Sequence, residues 1–324
     1  MTRLIIAVCA AALLLPAGAA PSFDCAKASG PIESAICKSA ALSAADRKLA
    51  DTYNGALAKV SEPGRAILRD GQRQWLAYVH VLCWKPEQEQ SVEDCLKDLY
   101  ADRQERLDKA VTIAGGVTFV RAAIYKARKE KKEDANDISY KPFSTLDAAY
   151  PEIGAPKSKA DAQFNAAMAG IAVDETKTFN DGGSDFTFDY DTVTVTGRLI
   201  SVDTTTGFYG HGAAHPNSSQ RMVHWLRAEG RLMKAEDLFA ANTGWLKFLR
   251  AFCFAKVKDG GFVDKPEALN DMVKNPERWV FARKGLKVRF NPYEVASYAE
   301  GPQEVTVPWT ALKPYLVKNP PVKF

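Results

Sequence analysis

His211 and His215 stand four residues apart, and His224 follows nine later. Three imidazoles near acidic residues are the donor types that bind a divalent metal. The segment His211-Gly212-Ala213-Ala214-His215 nevertheless holds a glycine that disfavours a helix, and it lacks the glutamate of the HExxH zinc-protease signature. It fits a loop, Gly207–Ser219, in which Gly207, Gly210 and Gly212 permit a tight turn and the histidines bond to nearby backbone. His211 and His215 are the metal candidates, and a metal-dependent hydrolase at this loop is the corresponding enzymatic alternative. Cys253 could be a nucleophile beside a histidine, but its setting Phe252-Cys253-Phe254 favours a buried thiol. No GxSxG elbow, Walker loop or dinucleotide-type glycine motif is present. The carboxylates are scattered, so no pair stands out for glycoside hydrolysis. The chain is therefore read as non-enzymatic and without a cofactor.

The remaining reactive type is cysteine. Cys25, Cys37, Cys83 and Cys95 form two pairs with eleven residues inside each. Zinc sites use two to four intervening residues, so these cysteines are assigned to disulfides, which form in oxidising compartments. Four cysteines permit three pairings; the local one, Cys25–Cys37 with Cys83–Cys95, fits, and so does a crossed one. The N-terminus agrees on compartment. Met1–Arg3 is a short basic start, Leu4–Leu15 an apolar run containing Cys9, and Ala17-Gly18-Ala19 a cleavage site. This reads as a signal peptide over residues 1–19, giving a soluble exported protein, periplasmic or secreted. The apolar run is too short to span a bilayer, and no later segment approaches 18 apolar residues. Composition is that of a globular chain, 46% hydrophobic and 25% charged, with formal net charge +4. A charge that small gives no ground for a nucleic-acid or membrane-surface partner.

Elements follow from periodicity. Leu42, Ala45, Leu49, Tyr53, Leu57 and Val60 recur at helical spacing, as do Leu68, Trp75, Val79 and Leu82, and Val92, Leu96, Leu99, Arg103 and Leu107. Ser61-Glu62-Pro63-Gly64 separates the first two helices, and Trp84–Gln90 the second and third, with Ser91 as an N-cap. Short links make this an antiparallel three-helix bundle within residues 20–114. Tyr53 and Trp75 are expected in its core, and an exposed surface near Trp84 is a candidate binding face.

The residues Phe23-Asp24-Cys25, Glu33-x-x-Ile36-Cys37, Asp46-x-x-Leu49-x-x-x-Tyr53, Gln72-Arg73-x-Trp75-Leu76, Cys83 and Cys95-Leu96-x-x-x-Tyr100-x-x-Arg103 carry a resemblance. Together, over residues 23–108, they resemble the LprI-like lysozyme-inhibitor domain. The resemblance implies a secreted helical domain, some members of which inhibit lysozyme.

Lys126–Asp137 is dense in both charge signs, and residues 115–137 read as a charged linker or helix end. Beyond it, residues 138–324 change period. A helix is expected at 157–173, then strands over Phe186–Thr196, Arg198–Thr205 and Gln220–Arg227. A helix follows at about 243–257, then a hairpin of Trp279–Ala282 with Gly285–Phe290, a short strand at Glu304–Pro308, and a last helical turn at Thr310–Leu316. Helices and strands are segregated rather than alternating, so the class is α+β with a mainly antiparallel sheet. The whole chain is an all-α disulfide-bonded antiparallel helical bundle followed by that α+β domain.

This second region also carries a resemblance, in Gly210-His211-Gly212-Ala213-Ala214-His215, Glu236-Asp237-Leu238-Phe239, Gly285–Val295 with its Phe290-Asn291-Pro292-Tyr293-Glu294 segment, and Val305-x-Val307-Pro308. It is similar to the exported domain of the anti-sigma factor RsiV, found also beside some peptidoglycan deacetylases. The resemblance implies a module that binds lysozyme. Both halves thus point to lysozyme or a related muramidase as partner, with the lysozyme cleft occluded. The alternative is a peptidoglycan- or glycan-binding module of the cell envelope. The candidate surface residues are Trp84, Tyr209, His211, His215 and Tyr293, with Trp225 as a further sugar-stacking aromatic.

Overall fold

The computed structural model describes residues 20–84, 91–131 and 141–322. The expected signal peptide, residues 85–90 of the Trp84 loop and residues 132–137 of the charged stretch lie outside them. The chain forms two compact units. One comprises the described residues up to Gly55 with Cys83–Leu107; the other comprises Ala56–Leu82 and the described residues from Asp108 on.

The first unit holds α1 (Gly30–Lys38), α2 (Ala40–Ala58, as far as Gly55) and α4 (Val92–Asp108). Ile36, Leu42, Leu49, Cys95, Leu96 and Leu107 are buried at the expected helical spacing. Polar groups also cross between the helices. Tyr100 Oη donates to Asp46 Oδ1 at 3.1 Å, Gln104 Nε2 to Thr52 Oγ1 at 2.9 Å, and Ser43 Oγ to the Ile36 carbonyl at 2.7 Å. Asp46 and Tyr100 are both buried, so this bond satisfies groups that would otherwise be desolvated without a partner. Burial, then the neighbouring Asp46, push the Tyr100 hydroxyl well above the ordinary phenol range. Ser91 caps α4 through the Asp94 amide at 3.1 Å, as its position ahead of the helix predicts.

The second unit contains α3 (Glu62–Cys83) as far as Leu82. Leu68, Trp75 and Val79 form one buried stripe of α3, but Gln74 and Tyr78 on its surface meet the sheet. Gln74 Oε1 accepts from the Tyr125 amide at 3.1 Å, and the Tyr78 and Tyr125 rings lie 5.5 Å apart. The seven-stranded sheet has the order β1 (Val111–Ala114), β2 (Val117–Lys129), β3 (Phe143–Ile153), β4 (Ser184–Val195), β5 (Leu199–Gly210), β6 (Asn217–Leu226) and β7 (Arg231–Leu232). All neighbours are antiparallel except β3 and β4, which are parallel and linked by helix α5 (Lys159–Glu175). A Ser158–Asp161 capping box starts α5, and Phe164, Met168 and Ala172 bury its inner face.

Residues 115–129 are not the expected linker. Gly115 and Gly116 take positive φ in the turn of the β1–β2 hairpin, and Val117–Lys129 is a strand. Its charged end pairs through Lys126–Lys129 with Phe143–Leu146 of β3, so backbone pairing overrides the composition signal there.

A second sheet of order β10 (Gln303–Pro308), β9 (Gly285–Phe290) and β8 (Trp279–Ala282) lies in the same unit. Its core joins Trp279, Leu286, Val288, Phe290, Val305 and Val307 to Leu249, Cys253 and Val257 of α6 (Trp245–Val257). Two single-turn helices, α7 (Asn270–Val273) and α8 (Trp309–Leu312), complete the described α-helices. The protein is a helical region with two disulfides followed by an α+β part whose main sheet is mostly antiparallel.

Candidate functional site

The four paired cysteines adopt the local pairing: Cys25 with Cys37, and Cys83 with Cys95. Cα separations are 5.9 and 5.8 Å, within the normal range for a disulfide. These residues are covalent supports. Next to them Trp84, 37% exposed, lays its indole over Gly30, where an added Cβ would clash with the ring. Gly30 also has φ +84°, so glycine is required there twice over. On α4, Asp94, Asp98, Asp102 and Glu105 are exposed and fall at four-, four- and three-residue spacing, which puts them on one helical face.

The three histidines of the second unit go to three different environments. The expected loop is shorter than Gly207–Ser219, because β5 runs to Gly210 and β6 begins at Asn217. His211 sits at the end of β5, where its amide bonds to the Gly183 carbonyl at 2.8 Å. Its Nε2 lies 3.3 Å from Asp185 Oδ2 but is not aligned for a hydrogen bond, and it is buried without another partner among the described residues. Asp185 is already engaged by the Thr145 amide at 3.1 Å and hydroxyl at 2.7 Å, and lies 3.4 Å from Lys141 Nζ. Lys141 also lies 4.4 Å over the Tyr209 ring, a cation–π contact on a candidate sugar-stacking face.

His215 belongs to an aromatic cluster. The Pro216 carbonyl can only accept, so His215 Nδ1 donates to it at 3.0 Å. The neutral ring then accepts the Tyr293 hydroxyl proton at Nε2, 3.3 Å away. Tyr298 stacks on His215 at 4.1 Å and on Tyr293 at 5.6 Å, and its hydroxyl donates to the Pro216 carbonyl at 2.8 Å. Tyr293 is 52% exposed and has φ 68°. A left-handed tyrosine is sparsely populated conformational space.

The Phe290–Glu294 segment explains how that residue is held. Asn291 is buried, and its Oδ1 accepts the Gln220 amide of β6 at 2.8 Å. Glu294 accepts the Asn291 amide at 2.7 Å and both terminal nitrogens of Arg278, at 3.0 and 2.5 Å. Asn291 and Glu294 thus lock the turn, and Tyr293 is its outward member.

His224 is buried between two fixed partners. Its Nε2 donates to the Trp279 carbonyl at 2.8 Å, and its Nδ1 accepts from Ser201 Oγ at 2.8 Å. Burial pushes its pKa down to about 4, against opposing contributions from the Trp279 carbonyl and Asp203. Both nitrogens are in use, so His224 is a core residue. No group of three His, Cys, Asp or Glu side chains among the described residues is placed to hold a metal ion. Trp225, considered as a sugar-stacking aromatic, is 5% exposed and packs edge-on against Phe164. Its place in β6 points it at α5. Cys253 is fully buried, and burial raises its thiol pKa to about 12.

Two features escape the sequence pattern. Tyr298 completes the aromatic cluster from five residues beyond Tyr293, and no motif marks it. A cavity of about 330 Å³ is bounded by α5, β4–β7 and the turn before β8, with Glu175, Arg221 and Glu277 at its polar side.

Residues 25–107 match the family described as Lysozyme inhibitor LprI. Residues 236–310 match a family described as Protein of unknown function (DUF3298). Each match covers about a quarter of the chain. Among solved structures, a DUF3298 family member from Bacteroides fragilis is 16% identical, with TM-score 0.43, covering 64% of this chain and 96% of its own. A DUF3298 family protein from Pseudomonas aeruginosa is 8% identical, with TM-score 0.43, covering 61% and 94%. No curated protein matches the sequence.

Proposed function

We propose that the protein is an exported, non-enzymatic binding protein that captures lysozyme or a related muramidase and occludes its cleft. The observation that carries this reading is the match of residues 25–107 to the lysozyme-inhibitor family, on a helical region stapled by two disulfides. Residues 24–109 hold 13 basic and 14 acidic residues, net −1, so no global field favours a basic partner. Any local attraction would rest on the α4 face of Asp94, Asp98, Asp102 and Glu105, where Lys97 already lies 3.4 Å from Asp94, and local complementarity acts mainly on association rate. The resemblance of residues 138–318 to the exported RsiV domain supports the same partner from the second unit. The test is titration of the purified mature protein into c-, g- and i-type lysozymes while wall lysis is followed. Inhibition saturating at one protein per enzyme supports the reading; absence of binding to every type ends it.

A second reading, glycan binding, is favoured by one observation: Tyr293 presents an exposed ring on a locked turn, stacked with Tyr298. Aromatic faces of this kind pack against the apolar face of a sugar. Co-sedimentation with insoluble cell wall in the absence of lysozyme separates the two, because only a glycan binder pellets.

A further inference from the structure

The cavity beside α5 has the build of a ligand site. Its wall is apolar, formed by Ile171, Phe188, Met222, Val223 and Leu232. Leu232, at its edge, is 42% exposed. The room comes from small residues, Ala167 and Gly170, one helical turn apart on α5. A Cβ added at Gly170 would meet nothing within 4 Å. At about 330 Å³ the space lies at the lower end for small-molecule pockets.

The polar side is defined by charge. Arg221 Nη1 bonds to Glu175 Oε1 at 2.6 Å and lies 3.8 Å from Glu277 Oε2. Glu175 is nearly buried, and its second oxygen accepts from Thr206 Oγ1 at 3.2 Å, so it is committed to the fold. Asp174 and Glu277 are exposed; Asp174 is paired with Lys177 at 3.0 Å, so three carboxylates stand against Arg221 and Lys177, with Glu277 the least compensated. An anion entering here would meet that excess of negative charge; a cation would be attracted by it.

We propose that this cavity binds a small amphipathic molecule with an apolar body and one cationic head. The body packs against Ile171, Phe188, Val223 and Leu232, and the head lies toward Glu277 and Asp174. The site is independent of the aromatic cluster and of the helical region, and of any lysozyme binding by either.

The test uses the full mature chain and three matched probes, hexylguanidinium, hexanol and hexanoate, with binding followed by NMR. Hexylguanidinium is expected to bind one per chain and to bind more tightly than hexanol, with hexanoate weakest. Gly170→Phe places a ring at the exposed edge of the cavity and is expected to weaken binding of all three probes. Glu277→Gln keeps the packing and is expected to weaken hexylguanidinium by about fivefold while leaving hexanol unchanged. The proposal is overturned if hexanoate binds as well as hexylguanidinium, if no probe binds, or if Glu277→Gln changes nothing. Should Gly170→Phe not fold, the Glu277→Gln comparison decides alone.

Discussion

Arg289 holds Asp203 with both terminal nitrogens, Nη1 to Oδ1 at 2.7 Å and Nη2 to Oδ2 at 3.1 Å. Arg289 lies on β9 of the small sheet and Asp203 on β5 of the large one. Its Nε donates to Glu304 Oε1 on β10 at 3.1 Å, so one nearly buried guanidinium ties three strands from two sheets. Asp203→Asn removes the bidentate one of two carboxylate partners from a nearly buried cation, leaving Glu304. It is expected to cost about 3 kcal/mol, measured by chemical denaturation; a loss under about 0.5 kcal/mol would show that water or Glu304 compensates.

His224 sets an acid limit. Its folded pKa, about 4, lies below its ordinary 6.5. Between those values the unfolded chain binds the proton and the folded chain does not. The stabilisation is therefore complete above pH 6.5 and is lost as pH falls toward 4, by up to about 3 kcal/mol. The melting temperature of the native protein should drop across this window. In His224→Gln the same profile should be flatter, from a lower starting point, because Gln does not titrate.

Cys253 should be silent while the protein is folded. Its thiol is fully buried and its pKa is raised, so almost no thiolate is available to react. A thiol reagent should label no site within residues 20–324 in buffer and one site there in denaturant without reductant. Labelling in buffer would show that α6 opens from the small sheet.

Tyr293 offers a test of purpose against structure. Its left-handed backbone suits glycine better than tyrosine. Tyr293→Gly is expected to change stability by less than about 1 kcal/mol, since strain relief offsets lost stacking. If the ring serves recognition, the same variant loses binding to cell wall or to lysozyme. Full retention of both would leave the ring without a role in either.

Much of the fold was legible because its strands alternate or carry β-branched runs. The β8–β9 hairpin has the boundaries expected, and α5, α6 and the strands near 186, 199 and 220 fall within a few residues of them. The strand Val117–Lys129 was not legible. Its last four residues read Lys-Ala-Arg-Lys, and only pairing with the next strand, β3, makes that stretch extended. The site was half legible. Tyr293 and His215 stand out by type, but their meeting depends on Asn291 reaching back to Gln220, which no local pattern encodes. The histidine pair suggested one centre because His211 and His215 are close in sequence. In the fold, β5 ends between Gly210 and His211 and releases His215 to a different neighbour. The cavity depends on residues absent in bulk, Ala167 and Gly170, and small side chains signal space only once the surrounding walls are known.

Stapling confers one further resistance. Each disulfide closes a loop with a sequence separation of only 12, worth about 3 kcal/mol by the chain-entropy relation. Replacing Cys83 and Cys95 by serine should lower stability by about that amount, and a thermal melt of the native protein in reductant, which opens both bridges, should show a larger loss.

Both bridges also join cysteines that are consecutive among the four. A chain emerging N-terminus first presents Cys25, then Cys37, then Cys83, then Cys95. An oxidant that couples each new thiol to the one already waiting therefore makes the native bonds in order of appearance. No wrong bridge has to be undone, so correct oxidation should not depend on a disulfide isomerase.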